Sequence, residues 1–368
     1  MSELRGALVV VLMLLTFVRA NAAIRPSFML EHCAWHATEI VVASEGQAID
    51  GTLNVLAVWD GELAVGDSVS IPELSRFSSE ESRTVRPYFD DIRDKTPPLV
   101  LSSQRMVLFL KRGENQLAHG KAVTDTEWKP ASLYGGMNVS VAWLAEDKVY
   151  AFTQVMNPGP SILGYQRYSE EELQRRITDI VKTRNELRAI NGLTDISLKA
   201  TEAVKYTDSP IYYAREEAFR VLGDAGADAL PHLRGILRDS EKLRLHDEAI
   251  NALGSAGGES VVPELTAIVE EELAFWKKTA PELKQGWWNG KGLEWNQVDP
   301  LRDRYSVVLE VFYTLRKIRS PASRTSVQNF RDFWRSLPQL EDKSGLNQMS
   351  EACDKVLKAL PRGGEESE

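Results

Sequence analysis

Cysteine is scarce in this chain: 368 residues hold two, Cys33 and Cys353, beside only five histidines. That excludes a small disulfide-stapled scaffold. Glycine, at 24, and proline, at 16, are too few for a collagen-like or low-complexity protein, and 43% hydrophobic residues exclude wholesale disorder. A positive excess is lacking as well. Lys and Arg number 44 against 53 Asp and Glu, so the net charge of −9 argues against nucleic acid as a partner. No G-x-S-x-G, H-E-x-x-H, G-x-x-x-x-G-K-[ST] or G-x-G-x-x-G occurs, so the common signatures of nucleophilic, metal and nucleotide chemistry are missing. Apart from one run near the amino terminus there is no long apolar stretch. A chain of this length has material for a substantial core and about two domains.

What is present begins with an address. Residues 7–18, ALVVVLMLLTFV, are too short to span a bilayer comfortably but fit the hydrophobic segment of a secretory signal. Arg5 precedes the run, and Ala20 and Ala22 then supply the small-x-small pattern, placing cleavage after Ala22, with Ala23 as the close alternative and an uncleaved anchor as the other reading. Loss of residues 1–22 removes Glu3, Arg5 and Arg19, one acid and two bases, so the mature charge becomes −10. The expectation is a secreted or periplasmic protein without a membrane attachment after cleavage. Cys33, after Leu30-Glu31-His32, lacks the small-residue context of a lipidated cysteine. In an oxidising compartment Cys33 and Cys353 either pair, closing a loop worth nominally about 5 kcal/mol in chain-entropy terms, or remain two buried thiols.

From Thr38 to about Gln154 the hydrophobic period is two. Ile40–Val42 open a strand, and Leu53–Trp59 read as a strand buried on both faces. DGE at 60–62 and VGD at 65–67 mark turns, with Val69 and Ile71 beginning the next strand. Val107–Leu110 form a further run, and Val139–Trp143 face Val149–Phe152 across AEDK as a hairpin. The polar stretch from Pro72 to Pro98 reads as an inserted loop with at most a short helix. Five or six strands in a small barrel or sandwich are expected over residues 23–165. This stretch resembles the opening of secreted OB-type, netrin-like barrels, the fold of metalloproteinase inhibitors. The resemblance implies a barrel; the inhibitors' amino-terminal cysteine and disulfide network have no counterpart here.

NPGPS at 157–161 ends the β pattern, and helical periodicity follows over 166–362, with an acidic tail at 363–368. Ser169 and Glu172 have capping-box spacing, Leu173, Ile177, Ile180 and Val181 share a face, and Gly192 is a stop. Ser209-Pro210 reads as a cap and first helical residue. AFRVLGDAGADALP (218–231) then lies over AINALGSAGGESVVP (249–263): Ala218/Ala249, Leu222/Leu253, Gly223/Gly254 and Gly226/Gly257 match at spacing 31, and Pro231/Pro263, Leu233/Leu265 and Ile236/Ile268 at 32. Each unit is helix, glycine turn, helix, and one such pair must stack on another to bury its apolar face. A degenerate third unit places Leu315 at 62 residues from Leu253, with Pro321 opening a helix to Trp334 and a last helix over about 346–360. These units resemble HEAT-like repeats of the variety found in phycobilisome lyases. The resemblance implies an α-solenoid, making the whole an α+β multidomain protein with a β barrel or sandwich followed by a solenoid.

Candidate chemistry is sparse. His32, Cys33 and His36 would converge on a helix, yet a fourth ligand is wanting; His119, His232 and His246 are isolated; no metal or cofactor is expected. The insertion AFWKKTAPELKQGWWNGKGLEW (274–295) carries Trp276, Trp287, Trp288 and Trp295, four of nine tryptophans, with Gly286, Gly290 and Gly292 opposing a stable helix. These rings either plug the end of the helical stack or form a contact surface for a protein or glycan. The expected role is therefore a non-enzymatic binding or scaffold protein, with an exported hydrolase or protease inhibitor acting through the β domain as the alternative.

Overall fold

The computed structural model describes residues 28–45, 52–71, 84–85, 99–100, 105–112, 128–131, 141–145, 148–153, 162–166, 168–337 and 348–361. The apolar run at 7–18 with its cleavage track, most of 72–98 and the tail 363–368 lie outside them. The chain divides into two compact units, up to Arg184 and from Asn185 onward.

The first unit opens with α1 (Leu30–His36) and continues through β1 (Glu39–Glu45), β2 (Thr52–Asp60), β3 (Ser68–Ser70), β4 (Thr84–Val85), β5 (Leu99–Val100), β6 (Arg105–Arg112), β7 (Trp128–Pro130), β8 (Val141–Ala145), β9 (Lys148–Thr153) and β10 (Ile162–Gln166). The principal sheet is antiparallel and barrel-like, in the order β10-β9-β8-β6-β1-β2-β3 with β7 beside β6; β4 and β5 pair separately. The β8–β9 hairpin sets Trp143 against Tyr150 and Ala142 against Ala151, as the alternation around AEDK implies. Two sequence readings change. The Pro72–Pro98 stretch contains strand rather than helix where it is described, and a further strand, β10, follows NPGPS. Burial on both faces belongs to β1 and β6, where Ile40–Ala43 and Met106–Leu110 are all sealed, and not to β2. In β2 Leu53 and Val55 point into the core while Asn54 and Leu56 are exposed. The two central strands need cover on the outer face as well, and Phe28 supplies part of it, its ring 5.6 Å from Phe109.

Polar anchors fix where the chain turns. Gly61 has φ +115°, and a Cβ there would stand 2.0 Å from Glu39 Oε2. That buried carboxylate accepts from the backbone N–H groups of Glu62 (2.9 Å) and Leu63 (3.1 Å), so the DGE turn is held from β1. Arg184, 4% exposed, lies in helix α2 (Glu170–Asn191) and donates to the carbonyls of Ala34 (3.1 Å) and Ala37 (2.7 Å) and to Asp60 Oδ2 (2.7 Å). One guanidinium thus joins the end of α1 to the end of β2. Ser169 caps α2 by accepting from Glu172 N at 3.1 Å, and Gly192 follows its last residue.

The second unit contains α3 (Ile196–Ala203), α4 (Tyr212–Asp224), α5 (Leu230–Arg238), α6 (His246–Gly257), α7 (Val262–Thr279), α8 (Trp295–Ile318), α9 (Arg324–Arg335) and α10 (Gln348–Ala359). Helix α4 begins at Tyr212 with Ile211 as its cap residue, two residues beyond Ser209-Pro210; the Ser209 hydroxyl accepts instead from Ile211 N. Three helix–3₁₀–helix segments occur in order: α4 and α5 joined through 226–229, α6 and α7 through 258–261, α8 and α9 through 321–323. Pro231 and Pro263 each sit in the first turn of the second helix. In the first two of these turns the glycines of positive φ are Gly226 and Gly258, 32 apart, so the one-residue slip falls within the glycine pair and Gly258, not Gly257, is the conformational counterpart of Gly226. In the third segment the left-handed position is taken by Arg319.

The other glycine pair sets the spacing between helices. A Cβ on Gly223 of α4 would lie 3.2 Å from Ser255 Cβ of α6, and one on Gly254 of α6 would lie 2.1 Å from Thr314 Cγ2 of α8. Repeat-equivalent glycines therefore let α6 settle on α4 and α8 on α6.

Two stability outcomes follow from these anchors. Arg184→Met strands Asp60 and two carbonyls, and denaturant unfolding of the first unit is expected to show a loss of about 3 kcal/mol, with Asp60→Leu restoring part of it in the double variant. Gly254→Ala is expected to destabilise the helical unit by about 1–3 kcal/mol through overpacking, a larger cost than that of Gly223→Ala, where the clash is milder and the gain in helix propensity offsets it. Equal effects of the two glycine variants would contradict the spacing argument.

Candidate functional groove

The tryptophan-rich insertion folds inward. Trp276 of α7 is fully buried and Trp287, on a single 3₁₀ turn, is 4% exposed. Their rings lie 5.7 Å apart, and Trp276 meets Trp334 of α9 at 5.4 Å while Trp288 meets Tyr305 of α8 at 4.9 Å. Gly286, Gly290 and Gly292 all have positive φ, which permits the tight turns on either side. Arg302 Nε donates to the Trp288 carbonyl at 3.1 Å and its guanidinium lies over that ring at 5.3 Å. Of the two readings of the insertion, plug or contact surface, Trp276 and Trp287 take interior positions, and a ring that satisfies its apolar area inside the helical unit offers none outside. Trp288 keeps partial exposure. The Trp295 side chain lies outside the described residues.

The two cysteines are thiols, not a disulfide: Cys33 is buried in α1 and Cys353 in α10. Burial pushes the Cys353 thiol up to about 12, which leaves it unreactive. Helix α1 does bring His32 and His36 together, with ring centroids 4.3 Å apart. Burial, with His36 and Lys111 nearby, lowers His32 to about 4 and keeps its imidazole neutral. Among the described residues no group of three or more His, Cys, Asp or Glu is placed to hold a metal ion.

Sequence reasoning missed a groove of about 780 Å³ in the helical unit, between α5, α6, α7 and α8. Its apolar lining comes from Leu237, Ile250, Leu253, Ile268 and Val307. Leu253 and Ile268 had been legible as repeat positions, but the space beside them depends on how the helices are set. Across this lining run charged pairs. Arg234 Nε of α5 reaches both oxygens of Glu264 of α7 at 3.1 Å, and Arg304 NH1 of α8 reaches Glu272 Oε1 of α7 at 2.5 Å. Arg304 is also stacked over the Phe275 ring at 4.1 Å. His246 Nε2 lies 3.2 Å from the Asp239 carbonyl. Glu272 is 6% exposed, and burial raises its pKa although Arg304 pulls the other way.

Helices α6 and α8 carry a second electrostatic feature. Burial, then the neighbouring Glu248, Glu310 and Asp303, push Asp247 up to about 7. Burial likewise raises Glu310, with Glu248 adding to it and Lys317 opposing, and raises Asp303 beside Asp299.

These shifts have opposite consequences in the two units. Asp247 binds its proton more tightly when folded, so its stabilising proton is present below about 4 in either state and is lost from the native state as pH rises through about 7. His32, lowered to about 4, favours the native state above its ordinary value of 6.5 and withdraws that support as pH falls toward 4. Hydrogen exchange between pH 8 and 5 is expected to show the helical unit gaining protection and the β unit losing it. Asp247→Asn should flatten the first trend and raise stability at pH 8; a helical unit that weakens on acidification would contradict the assignment.

No family model, curated protein or solved structure matches this chain.

Proposed function

We propose that this is an exported, non-enzymatic binding protein whose helical unit, a HEAT-like stack, holds a polypeptide segment in the groove between α5, α6, α7 and α8. The observation that carries the reading is the groove itself, which combines an apolar lining with Arg234–Glu264 and Arg304–Glu272 across it. A strip of aliphatic surface bordered by fixed charges suits an extended chain with alternating side chains, because apolar contact supplies affinity while the charges set register. Trp288, half-buried beside Arg302, extends the candidate surface. Export rests on the apolar run at 7–18 and the Ala20–Ala22 track.

Ala267 is an exposed groove residue, so a large side chain there fills the space without entering the core. Displayed random dodecapeptides panned on the full chain are expected to yield binders whose affinity falls at least about tenfold on Ala267→Trp, with unchanged thermal unfolding. Binders indifferent to Ala267→Trp, or weakened only by Trp288→Ala, would move the site away from the groove.

A further inference from the structure

We propose that the groove selects a peptide bearing a cationic side chain, whose guanidinium or ammonium group is received by Glu272. The inference rests on the polypeptide-binding reading above and adds the chemistry of the ligand. Glu272 is more than nine-tenths buried, lines the groove, and uses one oxygen to accept from Arg304. Its other oxygen, Oε2, has no hydrogen-bond partner among the described residues. A buried carboxylate with one of its two oxygens unserved is an expensive arrangement, since its desolvation is offset on one side only.

The surroundings favour a cation as the missing donor over a neutral group. Glu271, the adjacent groove residue, adds negative charge close by. Arg304 is engaged with Glu272 Oε1 and rests on the face of Phe275, which spends its charge locally. Arg234 is likewise committed to Glu264 through both carboxylate oxygens. A charged donor forms a stronger hydrogen bond to a carboxylate oxygen than a neutral one does, and among the described residues Arg304 is the one donor that Glu272 has. The partly exposed apolar lining formed by Leu237, Leu243 and Ile268 suits the aliphatic stem of an arginine or lysine and its flanking residues.

The test uses the full chain and blocked pentapeptides of the form acetyl-Leu-Ala-X-Ala-Leu-amide, with X as arginine, citrulline or glutamate, followed by isothermal titration. Citrulline keeps the shape of arginine and its Nε–H and one NH2 group, replaces the other nitrogen by a carbonyl oxygen, and carries no charge. The arginine peptide is expected to bind at least about tenfold more tightly than the citrulline peptide, and the glutamate peptide to bind weakest. Glu272→Gln should erase the preference for arginine while leaving residual apolar binding, and raised salt should narrow it. The comparison within the unaltered protein needs no variant, so a poorly folding Glu272→Gln leaves the proposal testable. Equal binding of all three peptides, abolished by Ala267→Trp, would keep the groove as a peptide site and overturn the cationic specificity. Agmatine binding as tightly as the arginine peptide would overturn the peptide as the source of the cation. Binding of none of them would overturn both readings.

Discussion

The helical unit depends on how closely its successive first helices approach. A methyl group on Gly254 would penetrate Thr314, and one on Gly223 would crowd Ser255. These two positions are equivalent in the repeat, so one sequence feature sets the α4–α6 and α6–α8 distances alike. Everything on the inner side follows from that spacing. Ile250 and Leu253 come from α6 and Val307 and Arg304 from α8, and the groove exists because those helices are held at a fixed separation. A small residue in a helix interior costs stability by itself. It is retained where the packing it permits is worth more.

Within that frame the charges are arranged in two different ways. Around the groove, acids and bases alternate and are paired across helices, Arg234 with Glu264 and Arg304 with Glu272. On α6 and α8, by contrast, Asp247, Glu248, Glu310 and Asp303 accumulate with little compensation, and Asp247 responds by holding its proton to about 7. Of the helices that carry these two electrostatic environments, only α8 contributes to both. Paired charges bordering an apolar surface give orientation to what lies on it. A like-charge seam makes the helices that carry it sensitive to proton concentration near neutrality.

Much of the secondary structure was legible because its signals are local. Gly192, the Ser169–Glu172 spacing and the AEDK hairpin act within a few residues, and they formed where the pattern placed them. The order of helix, turn and helix over 212–279 was equally readable, although only conformation shows that Gly258 rather than Gly257 answers to Gly226. What composition could not reveal was which strands are central. Leu53–Trp59 is as apolar as Met106–Leu110, yet the first lies beside the short β3 and the second between β1 and β8 with cover on both faces. The groove was hidden for a related reason. Arg234, Glu264, Glu272 and Arg304 are ordinary surface types at helical spacing, and only the setting of three helices turns them into a lined cleft.

The insertion shows how length mismatch decides the fate of an aromatic cluster. Helix α5 has 9 residues, whereas its repeat counterpart α7 has 18, so at 1.5 Å per residue the second overshoots the first by about 13 Å. The overshooting turns carry Leu273 and Trp276, apolar groups that α5 is too short to cover. Cover must come from elsewhere, and the glycine-rich connection supplies it with Trp287, while the lengthened α8 adds Tyr305 and α9 adds Trp334. The same extension brings Glu272 into the groove one turn before Trp276. Packing the tryptophans and burying the carboxylate are therefore two results of one change, the prolongation of α7 beyond its repeat length.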